Sequence, residues 1–267
     1  MKERILLAYS GTLASSAAAG WLAERHGAEV VTVTLDVGQT DDLDEVRARA
    51  LTCGAVRAHV IDARDVFARD YVIPALRDDA GRSLATLAHP LIARTLVDVA
   101  AIEAVDAVAH ASSGSTIDRE IAAVDRAPRL VTPAREWTMG GVDLTEYART
   151  RRLPSGPPRE PHLLVRPSID PARATGAEAM LVIAFEGGIP VSVNGVSMAL
   201  QELIESLSLI GGHHGIGHGD AVPAPAAVIL RAAYAAAGGA NGTARLKLQH
   251  GVCAVETAHS PELVSHS

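Results

Sequence analysis

The first 150 residues alternate between short apolar runs and longer stretches whose apolar positions recur three and four apart. Arg4–Tyr9 (RILLAY) is an apolar run that fits a strand buried on both faces. Glu29–Leu35 (EVVTVTL) is rich in β-branched residues and predicts a second strand. Val56–Ile61, Asp106–His110 (DAVAH) and Arg129–Thr132 predict a third, a fourth and a fifth. Between them the pattern predicts helices. The first is capped by Ser15 or Ser16, runs through Arg25 and ends at Gly27. The second is Asp42–Cys53, closed by Gly54, and Ala63–Arg77 and Pro90–Ala104 follow. Strand and helix in alternation mean βαβ units and a parallel sheet. Such sheets bind ligands at the carboxyl ends of their strands, which here are the loops Ser10–Ser16, Asp36–Asp42 and Ala111–Asp118.

The texture changes after Tyr147. Arg151–Pro171 (RRLPSGPPREPHLLVRPSIDP) is proline-rich with little apolar period, and reads as an irregular crossing. Met180–Val193 predicts a hairpin turning at Gly187-Gly188, and Thr243–Leu248 with Val252–Thr257 a second one around His250-Gly251. Ala199–Ile210 and Ala224–Ala237 predict helices, and the last residues are expected to fray. The expected organisation is an α/β parallel-sheet domain over 1–150, the crossing over 151–179, and a smaller α+β domain over 180–267.

Composition narrows the partners. A net charge of -7 argues against broad nucleic-acid or membrane binding. No run approaches 18 uncharged apolar residues, and Met1–Arg4 lacks the apolar segment of a signal peptide, so a cytoplasmic location is expected. Cys53 and Cys253 read as ordinary buried thiols. Of 24 basic residues only Lys2 and Lys247 are lysine, so the chain is short of lysines to hold phosphates.

LAYSGTLASS, residues 7–16, is where a fold of this kind would hold an anion. Backbone N–H groups at a helix start attract negative charge, small residues allow close approach, and hydroxyls add donors. Ser10, Gly11, Thr12, Ser15 and Ser16 meet that description. One glycine and no lysine make neither a dinucleotide fingerprint nor a Walker loop, so a strand-to-helix corner with a serine cap is the competing reading. His213-His214, His218 and Asp220 in GGHHGIGHGD could ligate a metal, but a glycine-rich turn accounts for them, and no resident metal site is assigned. Asp41, Asp42, Asp44 and Glu45 read as a solvated acidic helix start, and Trp21 as core.

LAYSGTLASSAAAGWLAERHGAEVVTVTLDVGQ resembles the opening of argininosuccinate synthases, which read AYSGGLDTS, then a helix, a strand and D-x-G-Q. LAHPLIARTLVDVA, DAVAHASSGSTID, VTPAREW, VNGVSMALQELIESLSLIGGHHGIG and NGTARLKLQHGVCAVE resemble later segments of the same family, in order, over most of the chain. The resemblance implies an ATP-pyrophosphatase-like (adenine nucleotide alpha hydrolase-like) domain followed by a reduced synthetase-like domain. It implies a ligase that uses ATP with Mg²⁺ to adenylate the ureido oxygen of citrulline, releases pyrophosphate, and lets the aspartate amine displace AMP. The family is usually a tetramer; the short chain makes a dimer the expected assembly.

The nucleotide set carried over is Ala8, Tyr9, Ser10, Gly11, Thr12, Ser15 and Ser16 in the loop, Thr34, Gly38 and Gln39 after the second strand, and Gly114. The amino-acid set is Thr86, Ser113 and Asp118; no catalytic residue is assigned. Several positions depart from the family. Thr12 replaces a loop glycine and Ala14 its aspartate. Ala88-His89-Pro90 stands for A-R-P, Ser115 for a lysine and Ile117 for an asparagine. The stretch around Asp79–Leu87 is shortened against the citrulline segment and holds no tyrosine. Arg135-Glu136-Trp137 matches an element near the family's substrate cleft and equally fits a local ion pair beside a packed tryptophan. Efficient synthesis from citrulline and aspartate is therefore not expected. A diverged ligase with another substrate pair, and a lapsed homologue that binds a nucleotide or a partner, both remain.

Overall fold

A computed structural model describes residues 2–39, 42–77, 84–105, 107–112, 114, 116–125, 127–137, 141–157, 167–174, 176–220, 224–238 and 240–259. Asp41, Asp106, Ser113, Ser115, residues 79–83, the middle of the proline-rich crossing and residues 260–267 lie outside these. The chain divides into two compact units, Met1–Ala63 with Ser83–Pro161 and Arg64–Arg82 with His162–Ser267.

The first unit is built on a five-stranded parallel sheet. Its strands are β1 (Arg4–Ala8), β2 (Glu29–Asp36), β3 (Ala55–Asp62), β4 (Ala107–His110) and β5 (Arg129–Val131), in the order β3-β2-β1-β4-β5. All five strands expected in this half are present. Ile5 and Leu7 pack into one buried cluster with Ala18 and Leu22 of α1 (Leu13–His26) and Val46 and Ala50 of α2 (Leu43–Thr52). Side chains alternate across a strand, so Leu6, also fully buried, serves the opposite face. There α5 (Leu84–Ile102) packs on β1 and β4. Gly27 ends α1 in the left-handed region, and the Asp42 carboxylate caps α2 by accepting from the N–H groups of Asp44 and Glu45.

Two helix starts differ from expectation. α1 begins at Leu13, and Thr12 is its N-cap residue without a side-chain cap bond. The serines do not cap because they lie inside the helix, past the cap position, where Ser15 Oγ donates to the Thr12 carbonyl at 3.1 Å and Ser16 Oγ meets the Tyr9 hydroxyl at 2.9 Å. α5 starts six residues before Pro90 and carries it inside. An interior proline costs about 3 kcal/mol. Leu87, Ala88 and Leu91 are buried on this stretch, and buried aliphatic side chains contribute about 1.5–3 kcal/mol each, enough to offset it. The Ala85–Ile102 stretch is long and apolar enough to cross a membrane by length and composition alone. It carries Arg94 and Asp98 and packs on the sheet.

The helical run over 64–77 belongs to the second unit. It is α3 (Arg64–Phe67), a π turn (Ala68–Val72) and α4 (Ile73–Arg77). Arg69 pairs with Asp65 at 3.0 Å on its surface, and Tyr71 stacks on Phe67. The first unit continues with helices that the apolar period did not mark: α6 (Thr116–Ala122), α7 (Pro133–Glu136) and α8 (Gly141–Thr150).

In the second unit both expected hairpins form. They are β6 (Ala179–Glu186) with β7 (Ile189–Val193), and β9 (Gly242–Gln249) with β10 (Val252–His259). β6 also pairs with β9, so one antiparallel sheet results, extended by β8 (Val196–Ser197) in the order β10-β9-β6-β7-β8. α9 (Leu200–His213) and α10 (Pro225–Ala237) pack on it. Cys253 departs from the expected buried thiol: β10 is an edge strand, and the side chain is half-buried.

Behind α5, Glu103 ties the sheet together at the amino ends of its strands. Its buried carboxylate accepts from Arg57 Nη1 at 2.7 and 2.9 Å and lies 2.8 Å from His59 Nε2. Burial pushes this carboxyl up, and the bonds from Arg57 and His59 more than offset that, holding it below the usual 4.5. A depressed carboxyl stabilises the fold above its unfolded value and loses that contribution as pH falls. Glu103→Gln is expected to lower stability at pH 7 by about 1–3 kcal/mol. In chemical denaturation the gap from the parent should narrow as pH falls below 4.5.

Candidate functional site

β1 lies between β2 and β4, and the chain leaves it in opposite directions along the sheet. At such a switch point the following loops part and open a crevice. A cavity of about 330 Å³ lies there. Its walls are Ala8–Ser10, Thr12, Ala14 and Ser15 after β1, and Val33–Leu35, Val37 and Gln39 at the end of β2. His110–Ser112 after β4, with Ala85, Ala88, His89 and Ile92 of α5, complete most of the lining. That volume sits at the lower end of the range for small-molecule sites, about 300–1,000 Å³.

The loop after β1 is held from below. Gly11 adopts φ 73°, the left-handed region where glycine is favoured. Its carbonyl accepts from Gly156 N at 2.8 Å and from Arg49 Nη1 at 3.2 Å. The next residue then has ordinary backbone angles, φ −74° and ψ 167°. Thr12 in place of a glycine therefore does not distort the turn. The Ser10 hydroxyl lies 3.0 Å from that of Thr12 and donates to Ser15 Oγ at 3.3 Å, so three hydroxyls gather on the loop. Thr34 Oγ1 donates to the Tyr9 carbonyl at 2.8 Å and fixes the strand end. Tyr9 is buried, and burial pushes its phenol up, so it stays protonated.

The turn after β2 satisfies itself. Gly38 N donates to Asp36 Oδ1 at 2.9 Å. The Gln39 amide accepts from Val37 N at 2.8 Å and donates to the Leu35 carbonyl at 2.7 Å. Gln39 thus shapes this wall with its side chain engaged inside the turn, and Gly38, at φ 89°, lets the turn close.

At the end of β4 stands His110, which is 2% exposed. Ser112 N donates to its Nδ1 at 3.2 Å, so the ring proton is on Nε2, 2.6 Å from Asp118 Oδ1. The other oxygen of Asp118 accepts from Arg135 Nη1 at 2.6 Å. Burial pushes His110 down and outweighs the upward pull of Asp118, so the ring is neutral at neutral pH. Burial also raises Asp118, but the bonds from Arg135 and His110 prevail and hold it low. His89 is pushed down by burial too, and its Nδ1 is buried without a hydrogen-bond partner among the described residues.

Of the residues expected at the nucleotide, Ala8, Tyr9, Ser10, Thr12, Ser15, Thr34 and Gln39 line the cavity. Gly11, Ser16 and Gly38 support it from behind. Gly114, Thr86 and Asp118 do not line it, and Ser113 lies outside the described residues. The sequence did not single out His110 or Arg49, and it marked His89 only as a departure from the family's A-R-P. The available signal for His110 was a polar residue closing an apolar strand at its carboxyl end. Among the described residues lining the cavity none is Lys, Arg, Asp or Glu. In the second unit His214 is buried at the end of α9, its carbonyl accepting from Gly251 N at 2.7 Å, and His218 Nδ1 lies 3.1 Å from the Ser168 carbonyl. Among the described residues no group of three or more His, Cys, Asp or Glu is placed to hold a metal.

Two family models match. Residues 4–154 match the arginosuccinate synthase N-terminal HUP domain, and 157–239 the arginosuccinate synthase C-terminal domain. The chain belongs to the argininosuccinate synthase family. It is 36% identical to the argininosuccinate synthase of Oceanobacillus iheyensis, over 87% of this chain and 68% of that protein. It is 35% identical to that of Syntrophobacter fumaroxidans and 37% to that of Nitratidesulfovibrio vulgaris, each over 82% of this chain and 64% of the relative. The chain thus spans about two thirds of the length of these curated relatives. The family's first domain coincides with the parallel sheet and its loops, so the cavity lies in the HUP part.

His110 gives a pH test. A histidine depressed below its unfolded 6.5 binds its proton more readily when unfolded, so stability falls as pH drops through 6.5 towards the folded value. The melting temperature is expected to drop between pH 7.5 and 5.5, and His110→Gln should flatten that drop. An equal slope in both proteins would show that the imidazole does not titrate in this way.

Proposed function

We propose that the chain binds an adenine nucleotide in this cavity and is an ATP-dependent ligase that forms a carbon–nitrogen bond. The observation that supports this reading is the loop after β1. Its Gly11 turn is intact, its hydroxyls gather at the start of α1, and the helix dipole there favours an anion. When bound, ATP supplies the activation: a carbonyl or ureido oxygen takes the adenylyl group, pyrophosphate leaves, and an attacking amine displaces AMP. The chain's own part is to hold and orient. Thr12 presents its N–H to phosphate oxygens, while Ser10 and Ser15 spend their hydroxyl protons holding the loop in shape. Val33, Leu35 and Val46 give apolar walls that suit a base and exclude water. His110 and Asp118 fix the loop after β4. Mg²⁺ fits this reading as an ion carried by the phosphates.

The substrate pair we propose is not citrulline with aspartate at the relatives' efficiency. Ala14 leaves its wall of the cavity without a carboxylate. Asp118, which resembles a residue of the amino-acid site, has both oxygens engaged. Each missing polar contact costs about 1–3 kcal/mol of binding. The same observations favour a second reading, a homologue that binds the nucleotide without turning it over.

Calorimetry with Mg-ATP on the parent and on Gly11→Val separates these. A β-branched residue at φ 73° should collapse the turn. The expected result is micromolar binding that the variant loses. Pyrophosphate release during a screen of amine and carbonyl substrates would then support the ligase, and binding without release the second reading. No heat up to millimolar ATP from a folded sample would overturn both.

A further inference from the structure

Arg49 is a buried cation, 8% exposed, with no assigned task. It projects from α2, with Nη2 donating to Glu45 Oε1 at 2.7 Å and Nη1 donating to the Gly11 carbonyl at 3.2 Å. Gly156 N donates to the same carbonyl. A trans peptide is planar, so its C=O and N–H point in opposite directions. Drawing the Gly11 carbonyl towards Arg49 and Gly156 therefore turns the Thr12 N–H the other way, and Thr12 lines the cavity. A cation on the carbonyl also polarises that peptide and strengthens its N–H as a donor. The guanidinium's charge acts through little more than one peptide unit, where the effective dielectric is well below that of water. Its counter-charge Glu45, whose side chain is 66% exposed, engages Nη2 and leaves Nη1 on the carbonyl.

We infer that Arg49 is a positioning residue for the loop after β1: it aims the Thr12 N–H at a ligand phosphate and makes the cavity select a phosphate-bearing nucleotide over the bare nucleoside. In a loop without lysine, it supplies the permanent positive charge from behind the backbone. This inference rests on the nucleotide reading above.

Titration calorimetry with AMP and with adenosine tests it, since the two differ only by the phosphate. In Arg49→Met the AMP dissociation constant should rise about tenfold or more, the cost of one charge-assisted contact, while adenosine stays within about twofold. Arg49→Lys should recover part of the loss. Glu45→Gln should bind AMP at least as tightly as the parent, because it removes a negative charge and leaves the guanidinium in place. Parallel weakening of AMP and adenosine in Arg49→Met, unchanged AMP binding, or weaker AMP binding in Glu45→Gln would overturn the inference. If Arg49→Met does not fold, the lysine and glutamine variants decide it. A parent protein that binds Mg-ATP but neither AMP nor adenosine would also overturn the inference, and one that binds none of the three would instead overturn the nucleotide reading itself.

Discussion

A strand paired on both edges and covered on both faces has no polar surface except at its ends. β1 is such a strand: it pairs with β2 and β4, and Ile5, Leu6 and Leu7 are fully buried. Its carboxyl end is therefore where the first unit can meet a ligand. Register then decides which residues arrive together. Ala8 lies opposite Val33 on one side and His110 on the other. The loop Tyr9–Thr12, the Thr34 hydroxyl and the His110 ring consequently share one edge of the sheet. The core constrains the site by leaving its residues nowhere else to be.

Within that edge, one backbone angle sets the tolerance to substitution. The left-handed residue of the loop is Gly11, and Thr12 has angles any residue adopts. A second glycine is thus not required for the turn, and a threonine there adds a hydroxyl to the Ser10 and Ser15 pair. Losing an acid at Ala14 is a different matter. It leaves the backbone path unaltered and removes a charge from the wall. Residues that set geometry and residues that set charge are separable in this loop.

The sheet was legible because burial on both faces writes continuous apolar runs into β1 and β4 and a β-branched run into β2, and glycines mark the ends of α1 and α2. Other features were not, for physical reasons. Pro90 read as a helix start because the first turn is where proline costs least. Packing of Leu87 and Ala88 overrode that preference. Ser15 and Ser16 read as caps by residue type, but a cap depends on backbone angles that only the Gly11 turn reveals. α6 and α7 are too short to show a helical period. The pairing of β6 with β9 joins residues some 60 positions apart, and no local signal encodes it. In the site, Ser10 and Thr12 were legible as small hydroxyl residues after a strand, and Thr34 through the family resemblance. Arg49 was not, because its bond to the Gly11 carbonyl joins groups 38 positions apart, and His110 was not, because a single histidine ending an apolar strand does not reveal its burial against Asp118.

The Asp118 carboxylate shows how one acid can fix a loop by serving two partners at once. Buried to 17% side-chain exposure, it accepts from Arg135 on one oxygen and from the His110 ring on the other. His110 in turn accepts from Ser112 N. The ring thus joins the two ends of the loop that runs from β4 into α6, and Arg135 anchors that joint to α7. A carboxylate has about four lone-pair sites, so room for a further donor remains. An amine approaching it, however, would share a charge already compensated by a guanidinium, and would gain correspondingly less. The same pairing that stabilises this loop therefore weakens it as a trap for a cationic group. That balance is set by His110 and Arg135 rather than by the carboxylate itself.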